Sequence, residues 1–400
     1  MVGALRTAAV LALVVAGCGA SIPPVPSKGG PAWLELTSEH FMLWTDGSSA
    51  RGHELIREME HLRQVIVGAV FPTVPAEGRI FVIALRDDYE LQAFSLTDEP
   101  RAYAMLPHWP LWQPMIVLAA DSNKPQGDET VAHELTHAIS WGVIHHQPRW
   151  FAEGMAFYLQ TVGLDPDRTT VDIGAAPTYR GGPLKLGRLV TLPTLFAWRG
   201  VTADEYSQYS TGFALFAYLF NEHREELSHY MALLDQMPTA DPAAVWQQAF
   251  PSLPVGETID SLREWILHGH HTVLHFTTEP RTWPVTERKL GDGDVYAARA
   301  LLRCRDVQCS AATADLAAAL AADPTNVLAR VIETGVTKQI ALPDARALVA
   351  AHDDSWLAWM LLAKALPVGD ERTQAVTNAC ERAAHNPAIA PPPGECRATH

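Results

Sequence analysis

The stretch Glu129-Thr130-Val131-Ala132-His133-Glu134-Leu135-Thr136-His137-Ala138-Ile139-Ser140-Trp141 carries two periodic patterns at once. Val131, Leu135 and Ile139 recur every fourth residue, as the apolar stripe of an amphipathic helix does. His133 and His137 recur at the same interval, so a helix puts both imidazoles on one face, one turn apart. Two nitrogens so placed fill two corners of a zinc tetrahedron, and Glu134 in this H-E-x-x-H order projects beside the corner left for water. With 17 His in 400 residues, composition alone produces the pattern about 0.04 times per chain. The flanking sequence therefore has to carry part of the argument.

Downstream lies Pro148-Arg149-Trp150-Phe151-Ala152-Glu153-Gly154-Met155-Ala156, with fifteen residues separating His137 from Glu153. A turn at His145 to Pro148 lets a second helix fold back, so that Glu153 faces the histidine pair as the third ligand of a His2Glu site with one open position. His145 and His146 point in different directions, as adjacent residues must, and read as turn residues rather than ligands. Trp150 reads as the residue that packs the second helix onto the first.

HELTHAI followed by WFAEGMAFYL resembles the gluzincin metallopeptidases, and within them the peptidase MA-like group of bacterial envelope proteins, where a P-x-W-x-x-E-G stretch supplies the glutamate ligand. The resemblance runs from Trp33 to His268 and is most specific over Gln147 to Tyr158. It implies a zincin-like domain holding Zn2+ through His133, His137 and Glu153. It also implies hydrolysis of peptide or protein substrates, with Glu134 taking a proton from water and passing it to the leaving amine. Tyr209, which opens YSTGFALFAYL, corresponds to the family helix after the active site and is the candidate donor to the oxyanion, with Tyr206 behind it; the other reading of Tyr209 is packing at the core edge. Met115 to Ala119 is either the edge strand that receives an extended substrate or a plain structural strand. Phe157 stands where better-known gluzincins carry an acidic residue, four beyond the ligand glutamate, so a histidine must be oriented from elsewhere. The spacing between the motifs is also shorter than in the thermolysin type.

Around these motifs the pattern is α+β. WLELTSEHFMLWTD predicts two short strands, Arg51 to Val70 a helix, Arg79 to Leu85 a buried strand and Asp88 to Phe94 a short helix. Helices follow at Glu129 to Trp141, Arg149 to Val162, Tyr206 to Glu222, Glu225 to Met237 and Ile259 to His268. TTEPRTWP, Thr277 to Pro284, has two prolines and no periodicity, and marks a domain boundary. Beyond it Val295 to Cys304, Ala311 to Ala322, Val327 to Thr337 and Trp356 to Ala365 read as Ala-rich amphipathic helices. AALAADPTNVLA resembles the hinge between tetratricopeptide (TPR) units, so the tail is either a degenerate TPR-like array that binds a protein partner or an unrelated helical cap. The division is then 1–18 signal peptide, 19–31 flexible tether, 32–280 catalytic domain and 281–400 helical C-terminal domain.

At 48% hydrophobic and 19% charged residues the chain can bury a large core, and its net charge of -15 argues against nucleic acid as a partner. MVGALRTAAVLALVVAGC has the cationic start and short apolar run of an export signal. Its end, Val15-Ala16-Gly17-Cys18, resembles the bacterial lipobox, which implies acylation of Cys18 and an anchor in the cell envelope, with the outer membrane favoured by Gly19; the alternative is an ordinary secretory signal with an incidental cysteine. Of the four cysteines left, local pairs Cys304 with Cys309 and Cys380 with Cys396 are the simplest of three pairings. A different class of function competes: a non-catalytic lipoprotein whose tail binds a partner and whose zinc site is structural or vestigial. Hydrolysis of a peptidoglycan cross-link would use the same chemistry on another substrate.

Overall fold

A computed structural model describes residues 22–71, 79–94, 102–105, 114–122, 127–164, 169–175, 188–200, 202–304 and 309–385. The first sequence pattern folds as read: β1 (Leu34–Thr37) and β2 (Phe41–Thr45) pair antiparallel, with Leu34 opposite Thr45. The Ser48 side chain accepts from the Arg51 N–H and starts α1 (Ser49–Val70). β3 (Ile80–Asp87) runs parallel to β2, and the Asp87 carboxylate caps α2 (Asp88–Ala93).

The remaining strands of the main sheet are β4 (Tyr103–Met105), β5 (Met115–Asp121) and β9 (Thr286–Lys289). Their order is β4-β5-β3-β2-β1-β9, parallel through β5, β3 and β2 and antiparallel elsewhere. The strand at Met115 is therefore not an edge. It is paired on both sides, and β4 takes the outer position.

Both faces of this sheet are covered, which is why β3 reads as an unbroken apolar run. On the front, Ile80, Val82, Ala84, Ile116 and Leu118 pack against Leu55, Met59, Leu62 and Ile66 of α1 and against Leu135 and Ile139 of α3 (Gly127–Val143). On the back, Phe81, Ile83, Leu85 and Val117 pack against Leu91 and against Val295, Ala298, Leu301 and Leu302 of a helix from the C-terminal part.

The front layer continues through α4 (Arg149–Leu159), β6 (Gly163–Leu164), β7 (Thr170–Ile173), α5 (Leu192–Phe196), α6 (Glu205–Glu222), α7 (Arg224–Gln236), α8 (Pro242–Ala249), α9 (Thr258–Leu267) and β8 (Leu274–Thr277). β6, β7 and β8 form a second, three-stranded sheet. The C-terminal helices are α10 (Asp292–Arg303), α11 (Thr313–Ala322), α12 (Val327–Thr337), α13 (Leu342–Ala351), α14 (Trp356–Ala365) and α15 (Asp370–His385). No helix among the described residues is long and apolar enough to cross a membrane.

Two regions differ from the sequence expectation. The segment 19–31 was expected to be a free tether. Its described part, 22–31, is instead docked on α10: Val25 is 1% exposed, Arg299 Nη2 donates to Pro23 O at 2.6 Å, and Ser27 bonds Asp292. The proline and glycine content that suggests a tether here supports a 3-10 turn at Pro26–Lys28, and one buried valine anchors it. Beyond the Thr277 to Pro284 break, 286–289 return to the sheet as β9 against β1, and α10 closes the back face. Cys304 and Cys309 form a disulfide. Cys380 is also disulfide-bonded; Cys18 and Cys396 lie outside the described residues.

Candidate metal centre

α3 buries Val131, Leu135, Ala138 and Ile139 against the sheet, which turns His133 and His137 toward α4. The connection between the helices is tied down. Ile144 N donates to Ser140 O at 2.7 Å, Gln147 Nε2 donates to Ile144 O at 2.9 Å, and the N–H groups of His145 and His146 donate to Asp235 Oδ1 on α7 at 2.8 and 3.2 Å. His145 and His146 are turn residues, more than half exposed, with their ring nitrogens toward Asp235. Pro148 then precedes the first turn of α4.

α4 is held from behind by aromatic packing. Trp150 is fully buried, with ring centroids 5.9 Å from Tyr230 on α7 and 6.0 Å from Trp246 on α8. It ties α4 to these later helices, within the same core cluster as Leu135 and Ile139 of α3. Gly154 allows α4 and α6 to touch: a Cβ there would sit 2.4 Å from Gly212 O. Any side chain at 154 would push α4 and α6 apart.

This scaffold brings three donor atoms together. His133 Nε2 and His137 Nε2 are 3.2 Å apart, and Glu153 Oε2 is 3.5 Å from each. Three corners of a tetrahedron at metal bonds of about 2.0–2.1 Å lie about 3.3–3.4 Å apart, so the triangle has the size that a small divalent ion requires. The three residues form a group that could hold a metal ion. The tautomer also suits this role. His133 Nδ1 lies 2.9 Å from Gln160 Oε1, an oxygen that only accepts, so the proton sits on Nδ1 and the Nε2 lone pair is left to converge with its neighbours. Gln160 Nε2 in turn faces Glu129 Oε2 at 3.5 Å, which fixes which end of the amide is oxygen.

Gln160 thus does what the absent acidic residue at 157 would do. Phe157 instead lies edge-on to the His133 ring, with centroids 4.9 Å apart. His137 is stacked on Trp141 at 5.4 Å, and its Nδ1 is buried without a hydrogen-bond partner.

Two carboxylates in this site are driven in opposite directions. Burial opposes the charge on Glu153, but hydrogen bonds and charge from His133 and His137 overcome it and hold the group well below the usual carboxylate range. Burial pushes Glu134 up to about 7, with Glu153 adding to the rise and His133 and the Ala104 N–H opposing it. Ala104 N, on β4, donates to Glu134 Oε2 at 2.7 Å. Glu134 is therefore placed near neutral affinity for a proton, the range in which a carboxylate works as a general base.

All of these side chains line one cavity of about 1500 Å³, together with Tyr103, Trp141, Trp198 and Tyr209. The Tyr209 ring sits 5.2 Å from Phe157 and edge-on to Trp198 at 4.9 Å, and its hydroxyl accepts from Arg149 Nη2 at 3.1 Å. Tyr206 is 47% exposed and does not line the cavity. Three contributors were missed on the sequence. Gln160 and Arg149 had a signal: with Glu153 and Phe157 they recur at i, i+4, i+8 and i+11 along one helical face. Ala104 acts through its backbone and had none.

Comparison of the chain with models of protein families, with curated proteins and with solved structures finds no match.

Proposed function

We propose that the chain is a zinc-dependent peptidase of the bacterial cell envelope, built on a zincin-like domain with a TPR-like helical extension. One observation carries the reading: two imidazole nitrogens and a carboxylate oxygen converge within 3.2 to 3.5 Å while a second carboxylate, Glu134, lines the same cavity beside them. A site meant only to brace the fold has no use for that extra carboxylate. A bound zinc ion would supply Lewis acidity, which polarises a substrate carbonyl and acidifies water.

The chain's own residues account for the remaining steps. Glu134 accepts a proton from the attacking water and returns it to the leaving amine. His133 is held in the ligating tautomer by Gln160, and the His137 ring is oriented by stacking on Trp141. Tyr209 donates to the oxygen that becomes negative. An extended substrate would lie along the cavity beside β4, the end strand of the sheet among the described residues, with Trp141 and Trp198 as aromatic walls of the cavity. Acylation of Cys18 would anchor the chain to the envelope, and the C-terminal helices are the surface on which a protein partner would dock.

The test is cleavage of denatured, fluorescently labelled casein by wild type, by chelator-treated protein and by Glu134→Gln. Zinc-dependent cleavage that falls by about a thousandfold in Glu134→Gln, with zinc still bound, is expected. Equal, metal-independent behaviour of all three preparations removes the peptidase reading and leaves a binding lipoprotein.

A further inference from the structure

Building on the peptidase reading, we propose that Arg149 is a positioning residue that aims the Tyr209 hydroxyl at the developing oxyanion. Arg149 opens α4 one turn before Glu153, on the face that carries the ligand. Its guanidinium touches four groups. Nη2 donates to Tyr209 Oη at 3.1 Å and to Glu205 Oε1 at 2.9 Å. Nε lies 3.8 Å from Glu153 Oε1, the oxygen not turned to the imidazoles, and the plane stacks over Trp198 at 4.9 Å.

Each contact limits what Arg149 does. A phenol oxygen that accepts from a guanidinium directs its own proton elsewhere, so Arg149 selects the rotor position of the Tyr209 O–H. The ring is already confined between Phe157 and Trp198, so the guanidinium acts on the orientation of the hydroxyl rather than on the ring. Burial and Glu153 raise the proton affinity of Tyr209, and the Arg149 hydrogen bond and charge oppose that rise. Substrate binding by the guanidinium itself is disfavoured, because Glu205 neutralises it and Trp198 covers a face. The fork geometry matters: one guanidinium spans Tyr209, Glu205 and the second oxygen of Glu153, which a lysine ammonium cannot do.

The experiment is a double-mutant cycle on zinc-loaded protein with two readouts. The first is kcat and KM on labelled casein; the second is the affinity for acetohydroxamate, whose zinc-bound oxygen accepts from the same donor and needs no turnover. Tyr209→Phe is expected to lower kcat about a hundredfold. Arg149→Met should lower it by roughly ten to a hundredfold with KM within about twofold, and the double variant should be no worse than Tyr209→Phe alone. Arg149→Lys, the guard against misfolding, should recover part of the loss. Zinc content should stay at one ion per chain throughout. Multiplicative losses in the double variant, an effect on KM alone, or loss of zinc in both Arg149→Met and Arg149→Lys would overturn the proposal. If wild type cleaves no casein, the peptidase reading fails separately, and the acetohydroxamate cycle alone decides the coupling: shared loss supports it, independent losses overturn it.

Discussion

Ionisable side chains cluster on both faces of the main sheet, mostly half-buried on the front and buried on the back, and the two sets behave differently. On the front, His133, His137, Glu134 and Glu153 point at one another across a cavity, and their donor atoms leave room for an ion. On the back, Asp46, Glu90 and Arg299 are each at most 5% exposed and are enclosed by the sheet, α2 and α10. Burial pushes Glu90 up to about 8, with the hydrogen bond and charge of Asp46 adding to it and Arg86 and Arg299 opposing it. The comparison teaches that perturbed titration alone does not mark a functional site. What separates the two is convergence on an accessible point.

The comparison breaks if mutations on one face act on the property of the other. The largest effect on stability is expected from the back: Leu301→Ala, at 2% exposure, should cost about 3 kcal/mol in urea unfolding and leave zinc affinity unchanged. His137→Ala should do the opposite, abolishing zinc binding while the metal-free protein unfolds within about 1 kcal/mol of metal-free wild type.

A smaller effect sharpens the front-face account. Gln160→Leu leaves the His133 Nδ1–H without its acceptor, and should weaken zinc binding roughly ten to a hundredfold; Gln160→Glu should bind zinc at least as well as wild type. Competition with a zinc-responsive dye measures both.

A pH dependence is expected of Glu90. Its folded-state affinity for a proton, near 8, lies above the ordinary carboxylate value of 4.5. The stability it contributes is therefore full below about 4.5 and is lost as pH rises through about 8. Glu90→Gln should flatten the decline in melting temperature between pH 5 and pH 9, measured on metal-free protein so that the front site does not contribute. An unchanged pH profile would show that Glu90 is not the group responsible.

Much of the front face was legible because metal chemistry demands fixed residue types at helical spacing, and H-E-x-x-H with W-x-x-E-G meets that demand. The hairpin and β3 were legible from alternating and continuous apolar runs. Other parts are decided by backbone pairing, which leaves no pattern. β4 is three half-buried residues, and β9, Thr-Glu-Arg-Lys, is exposed along its whole length yet pairs with β1. The docked segment 22–31 hid behind a tether-like composition, because one buried valine and a few polar contacts to α10 do the anchoring. Arg149 and Gln160 were visible only as positions on a helix face, since their roles depend on Tyr209 and His133 arriving from other helices.

The central claim is that side chains from α3 and α4 ligate one zinc ion. Zinc-edge X-ray absorption on purified protein tests it most directly. The account predicts one zinc per chain with nitrogen and oxygen neighbours at about 2.0–2.1 Å, two of them imidazole, and loss of the ion or of one oxygen neighbour in Glu153→Ala. A sulfur neighbour, or an unchanged zinc environment in Glu153→Ala, would contradict it.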